Sequence, residues 1–156
     1  MSKFKILPTV SVGFVILGFT MFPFIDWAIQ GISIEPAPAM KNPALWIYPI
    51  LAVITLFIHG KASGWSRIAA GVIGIGILVS EGLRSMSIIT ESASMGFIGR
   101  TAIDVMSGNT PVQVIEKLTF GSGFYISVIG LMVLAASGIW EIIESRKSQN
   151  SVPTEN

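Results

Sequence analysis

The sequence predicts an all-α integral membrane protein, a four-helix transmembrane bundle with a short helical outer segment, on three observations. Apolar residues make up 51% of the 156 and charged residues 12%, with a mean hydropathy of +0.71, whereas soluble domains carry about 25% charged residues. Four apolar runs are separated by polar or proline-rich stretches, and a span needs about 20 mostly apolar residues. The basic residues are densest in alternate connecting segments, as in multi-pass proteins. The length suits one compact unit, residues 1–144, followed by a polar tail, 145–156, with the composition of disordered sequence.

The third run organises the others. Between Arg67 and Glu81 there is no charge and no proline, so a span is predicted over 67–84. Ala70 and Gly74 stand at small-xxx-small spacing with Gly71 and Gly76 alongside. Such residues let a second helix backbone come close and gain dispersion contacts that lipid cannot match, which predicts the central helix of the bundle.

The first span is predicted over 6–25, opened by Lys3 and Lys5 and closed by Pro23 and Asp26-Trp27. Its apolar run is longer than a signal-peptide core and no small-x-small site follows, so it reads as an uncleaved helix with Trp27 as an interfacial aromatic. Residues 28–43 hold too many prolines for one helix and read as a loop with a short extended piece at Ile32–Ile34. Pro43 suits the first turn of the second span, 44–59, where Trp46 and Tyr48 mark the interface and Pro49 bends the helix.

Gly60 to Arg67 is a short basic turn, so spans two and three form an antiparallel hairpin. The outer segment 85–119 mixes Ser, Thr and Gly with scattered apolar residues and is predicted to hold short helices. Within it, Thr110-Pro111-Val112-Gln113 has the pattern of a capping box, predicting a short helix with Val112, Ile115 and Leu118 on one side. The fourth span is predicted over 120–143. Gly123, Ser127, Gly130 and Ser137 fall on one face of it, cut for close packing.

Lys3, Lys5, Lys61, Arg67, Arg146 and Lys147 lie in the short segments on one side, and Lys41, Arg84, Arg100 and Lys117 in the longer segments on the other. The positive-inside rule then places both termini in the cytoplasm of a cell (plasma or inner) membrane. Asp26, Glu35, Glu81, Glu91, Asp104 and Glu116 make the opposite face mildly acidic.

Chemistry-bearing residues are sparse. A net charge of +1 excludes a nucleic-acid surface, and the absence of cysteine excludes disulfides, thiolate catalysis and cysteine-ligated metals. His59 is the only histidine and stands at a helix end without a second ligand, so no metal or other cofactor is expected. Glu81 and Arg84 can meet at i, i+3, and with Asp26 and Trp27 they form the candidate outer-face site. Asp104 and Arg100, at i, i+4, read as a surface pair. Gly71 to Gly76 lacks the strand-loop-helix context and the Lys-Ser/Thr of a phosphate loop. No nucleophile elbow or zinc-peptidase motif is present, and an enzyme is not expected.

Three stretches carry a resemblance: Phe22-Pro23-Phe24-Ile25-Asp26-Trp27 closing the first helix, the basic hairpin Gly60 to Arg67 leading into a Gly-rich helix, and a last helix that opens Phe120-Gly121-Ser122-Gly123-Phe124-Tyr125 and ends Ala135-Ala136-Ser137-Gly138-Ile139-Trp140. Their order resembles small prokaryotic four-span membrane proteins of unassigned function and, distantly, the claudin-type tetraspan layout. Residues 28–43 are too few for the claudin extracellular sheet and its paired cysteines have no counterpart, so junction formation is not implied. The expected function is a non-enzymatic accessory or structural subunit, surrounded by membrane lipid and packed against other membrane protein subunits. The alternative is a small transporter or channel component with an outer vestibule near Glu81 and Arg84. A membrane-bound enzyme or cofactor carrier using His59 ranks third.

Overall fold

The structure is a computed structural model and describes residues 6–29, 32–33, 39–60, 62–107 and 117–150. It is predominantly helical: α1 (Ile6–Thr20), α2 (Ile47–Ile54), α3 (Ala62–Ser107) and α4 (Ser122–Asn150), with three short strands, β1 (Ile25–Ile29), β2 (Ile32–Ser33) and β3 (Lys117–Phe120). Two of the helices are long and apolar enough to cross a membrane, over Ala62–Ile88 and Ser122–Ser148; Ile6–Thr20 and Pro43–Ile54 are apolar but shorter.

Helix α1 tolerates Pro8 because the first turn needs no backbone donor there. It ends at Thr20, five residues short of the predicted span, and the chain passes Pro23 into the extended run Ile25–Ile29. Asn42 caps the next helical stretch by accepting from the Ala44 amide at 3.1 Å, with Pro43 at the first position. One tight turn, Pro43–Trp46, precedes α2, and Pro49 lacks the amide that would reach back one turn. After Ile54 single turns carry the chain to Gly60, whose φ of +82° suits glycine and reverses the direction into α3.

Helix α3 differs most from expectation. It begins at Ala62 rather than 67 and runs unbroken to Ser107, where the sequence predicts a span ending at Arg84 and separate short helices. No proline occurs between Gly60 and Pro111, and the hydroxyls of Ser80, Ser87 and Thr90 bond back to carbonyls of Ile77, Arg84 and Met86 instead of breaking the helix. Helix α4 likewise continues past 143 to Asn150. The capping box Thr110–Gln113 and residues 151–156 lie outside the described residues, as do the side chains of Arg100 and Asp104. Leu118, predicted on a helix, stands in β3.

The extended piece expected at Ile32–Ile34 is in part β2, and it belongs to a sheet that the sequence did not predict. β1 pairs antiparallel with β2 (Ala28 opposite Ser33) and with β3 (Ile25 opposite Phe120, Trp27 opposite Leu118), in the order β2-β1-β3. It links the end of α1 to the start of α4, and the Gly121 and Gly123 amides donate to the Phe24 and Pro23 carbonyls at 2.9 and 2.8 Å. Phe120 stacks on Phe124 with ring centroids 4.0 Å apart. The Phe120 ring edge occupies the place a Cβ would take on Gly82, which ties the sheet to α3.

The helices form a closed ring in which α4 packs on α1 and α3, and α2 on α3 and α1. The third helix is therefore not central; each helix meets two neighbours. Val15, Phe19, Leu45, Tyr48, Leu78, Leu131 and Leu134 fill the middle, and the Tyr48 hydroxyl meets Ser127 Oγ at 3.3 Å.

Candidate functional site

The small residues are used within the chain. A Cβ on Gly71 would meet Leu131 O and Ala135 Cβ, both at 2.8 Å; on Gly74, Leu131 Cδ2 at 2.9 Å; on Gly130, Val15 Cγ2 at 2.9 Å; and on Gly123, Gly18 O at 2.6 Å. Ala70, Ser127 and Ser137 are buried with them, whereas Gly76 has open space around it.

Of the predicted outer-face residues, Asp26 and Trp27 stand on β1 and Glu81 and Arg84 on α3. Asp26 lies on β1 opposite Thr119, half-buried, and Trp27 opposite Leu118. Glu81 and Arg84 meet across one turn of α3 at 3.7 Å, with the Arg84 side chain 70% exposed, so their attraction is largely screened. Among the described residues no hydrogen bond or ion pair joins them to Asp26.

The polar residues gather instead at the other end, where α1 begins, α2 ends, α3 begins and α4 finishes. A cavity of about 490 Å³ opens there, lined by Leu7, Pro8 and Thr9 of α1, Leu56, Ile58, His59 and Gly60, Ser63 and Arg67 of α3, and Ser137, Trp140, Glu141 and Glu144 of α4. Helix geometry supplies both polar walls: Ser63 and Arg67 are one turn apart, and 137, 140, 141 and 144 follow the 3-4-7 spacing of one face. Close approach of α3 and α4 at Gly64 and Gly138, where either Cβ would strike the other's backbone carbonyl, brings the walls together.

At the centre, Arg67 Nη1 donates to Glu141 Oε2 at 2.5 Å and Ser63 Oγ donates to Glu141 Oε1, so both carboxylate oxygens are engaged. The Arg67 side chain is 15% exposed, and its buried Nε–H has no acceptor among the described residues. His59 is exposed at the rim with Nδ1 2.7 Å from the Phe57 carbonyl. Among the described residues no three His, Asp or Glu side chains gather as a metal site.

Arg67 appears in the sequence as a loop cation and Glu141 and Glu144 as the charged end of a span. The one signal available is the pair of spacings, 63/67 and 137/140/141/144, each placing polar groups on one face at the same end of an antiparallel pair.

Fold and site together define a predominantly helical protein with a polar cavity at one end of its helices and a small sheet at the other. Comparison with protein-family models, with characterised proteins and with solved structures finds no match for the chain.

Proposed function

We propose that the chain is a multi-pass protein of the cell membrane, its four helices crossing the bilayer with both termini cytoplasmic, and that it serves without catalysis as an accessory subunit of a larger membrane complex. The observation that carries this is the apolar girdle. Large apolar side chains stand exposed on every helix, among them Phe14 and Leu17 on α1, Ile47 and Ile50 on α2, Val72 and Ile73 on α3, and Ile129 and Met132 on α4. Soluble proteins rarely expose contiguous apolar patches beyond a few hundred Å². Only 33% of the apolar window in each of the two long helices is buried, the reverse of a soluble core helix.

Helices of 15 residues or fewer are short for a hydrocarbon core of about 30 Å, a mismatch that local thinning and snorkelling lysines accommodate. Arg67, Arg146 and Lys147 at the cavity end, and Lys61 in the sequence next to Gly60, support a cytoplasmic placement of that end by the positive-inside rule. On the other side α3 runs from Ile88 to Ser107, about 28 Å beyond its apolar stretch. This extension and the sheet form an outer head, which we assign to partner contacts. Most of the packing glycines are consumed inside the chain, so partner helices meet its flanks near Gly13 and Gly76, where the space at Cβ is open.

Two measurements test this. The chain is free of cysteine, so single cysteines can be labelled in intact cells with a membrane-impermeant maleimide. Ser33→Cys is expected to react and Ser151→Cys to react only after permeabilisation; the reverse pattern overturns the orientation. Extraction in a mild detergent from the native membrane is expected to yield a discrete complex of fixed stoichiometry with other polypeptides. A monomer or a pure homo-oligomer overturns the accessory role.

A further inference from the structure

The cavity at the cytoplasmic end has a charge balance that selects its occupant. Among the described residues one guanidinium lines it against two carboxylates, and Arg67 is already matched by Glu141. Glu144, one turn beyond Trp140 and Glu141 on the same face of α4, is exposed and has no ion pair among the described residues. His59 Nδ1 donates to the Phe57 carbonyl at 2.7 Å. The lining thus offers an unmatched anion and an indole face. An anion entering it meets the Glu144 carboxylate, while the guanidinium of the described lining is already engaged by Glu141. A cation gains Coulomb attraction and, from Trp140, a cation–π contact.

Thr9, Ser63 and Ser137 add hydroxyl-bearing residues to the lining, and an apolar patch completes it. Leu7 and Pro8 of α1 and Leu56 and Ile58 beyond α2 face the same space, whose volume of about 490 Å³ falls within the range of small-molecule sites. A hydrated inorganic ion would leave that surface unused. We propose that the cavity binds an amphipathic cation, its ammonium head held between the Glu144 carboxylate and the Trp140 ring and its apolar body laid on Leu7, Pro8, Leu56 and Ile58. Either an aminophospholipid of the cytoplasmic leaflet or a free lipophilic ammonium ion carries this chemistry. Only the first source depends on the membrane assignment above.

The test is calorimetric titration of the purified protein, in a nonionic detergent, with octyltrimethylammonium. Saturable binding is expected, absent with octyl sulfate and octanol and much weaker with tetramethylammonium. Glu144→Gln is expected to weaken binding about tenfold and Trp140→Leu roughly threefold, each with an unchanged unfolding midpoint, since both side chains stand at the surface. Phosphatidylethanolamine in mixed micelles displaces the probe if lipid is the source; if it does not, the free ion is. Equal binding of the cation and the sulfate, or affinities unmoved by both substitutions, overturns the proposal. Recovery of the protein in the aqueous fraction without detergent would remove the membrane assignment, and the same titration in plain buffer would still decide the cavity.

Discussion

Gly123→Ala is expected to lower stability by about 3 kcal/mol, the upper part of the range for overpacking, read as a large drop in the unfolding midpoint of the detergent-solubilised protein. A Cβ there would lie 2.6 Å from Gly18 O, 2.7 Å from Phe22 O and 2.9 Å from Pro23 O. All three are backbone atoms, so no rotamer change relieves the contact. The Gly123 amide also donates to Pro23 O at 2.8 Å, which fixes the spacing from the other side. The approach is reciprocal, since a Cβ on Gly18 would meet Gly123 O at 2.8 Å and Ser127 N at 2.9 Å. Relief requires α1 to move off α4, and that opens the layer holding Phe19, Tyr48 and Ser127. Gly74→Ala is expected to be milder, because its nearest neighbour is the end of the Leu131 side chain, which can turn. Gly76→Ala meets nothing within 4 Å and is expected to be neutral or to gain up to about 1 kcal/mol from helix propensity. Equal midpoints for the three variants would mean that α1 and α4 do not touch at Gly123.

These glycines also mark how far the sequence could be read. Small residues at i, i+4 announce that a helix approaches closely, and Gly71, Gly74, Gly123 and Gly130 all lie against a neighbouring helix, with Ala70 buried beside them. They do not announce whose helix it is. Local spacing carries no information about the partner, so contacts assignable to another subunit are largely filled by α1, α3 and α4 of the same chain. The helical class was legible because apolar content and run length are properties of single segments. The ends of the helices were not. Arg84 looks like a boundary, yet nothing chemically stops a helix there, and α3 continues through Ser and Thr residues whose hydroxyls cap their own turns.

The sheet was missed for a related reason. Residues 28–43 are too few to make a sheet alone, but β3 comes from residues 117–120, and Ile25 to Ala28 pair with that distant segment. Long-range pairing of this kind leaves no local periodicity beyond a short run such as Ile25-Asp26-Trp27-Ala28-Ile29. The cavity is harder still. Arg67 and Glu141 are separated by 74 positions, and each alone has the look of an ordinary boundary charge.

Glu141→Leu is expected to cost about 2 kcal/mol, and the order of three variants carries more information than that figure. Breaking a fully buried ion pair by removing one member typically costs 3–5 kcal/mol, because the other charge is left without compensation. Here the two members are unequally placed: the Arg67 side chain is 15% exposed and that of Glu141 39%. Removing Glu141 strands the more buried charge, whose Nε–H already has no acceptor among the described residues, hence a cost somewhat below that range after solvent screening. Arg67→Met leaves a carboxylate that keeps the Ser63 hydroxyl and reaches water, so its cost is expected to be smaller, about 1 kcal/mol. The double variant Arg67→Met/Glu141→Leu leaves neither charge and is expected to recover most of the loss, because apolar pairs of similar volume often replace buried ion pairs without penalty. Unfolding midpoints of the four proteins in one detergent give the cycle. Glu141→Leu the least stable and the double variant near the parent would locate the cost in the stranded guanidinium. Additive losses would mean instead that the pair is solvated and that Ser63, Arg67 and Glu141 do not hold the start of α3 to the end of α4.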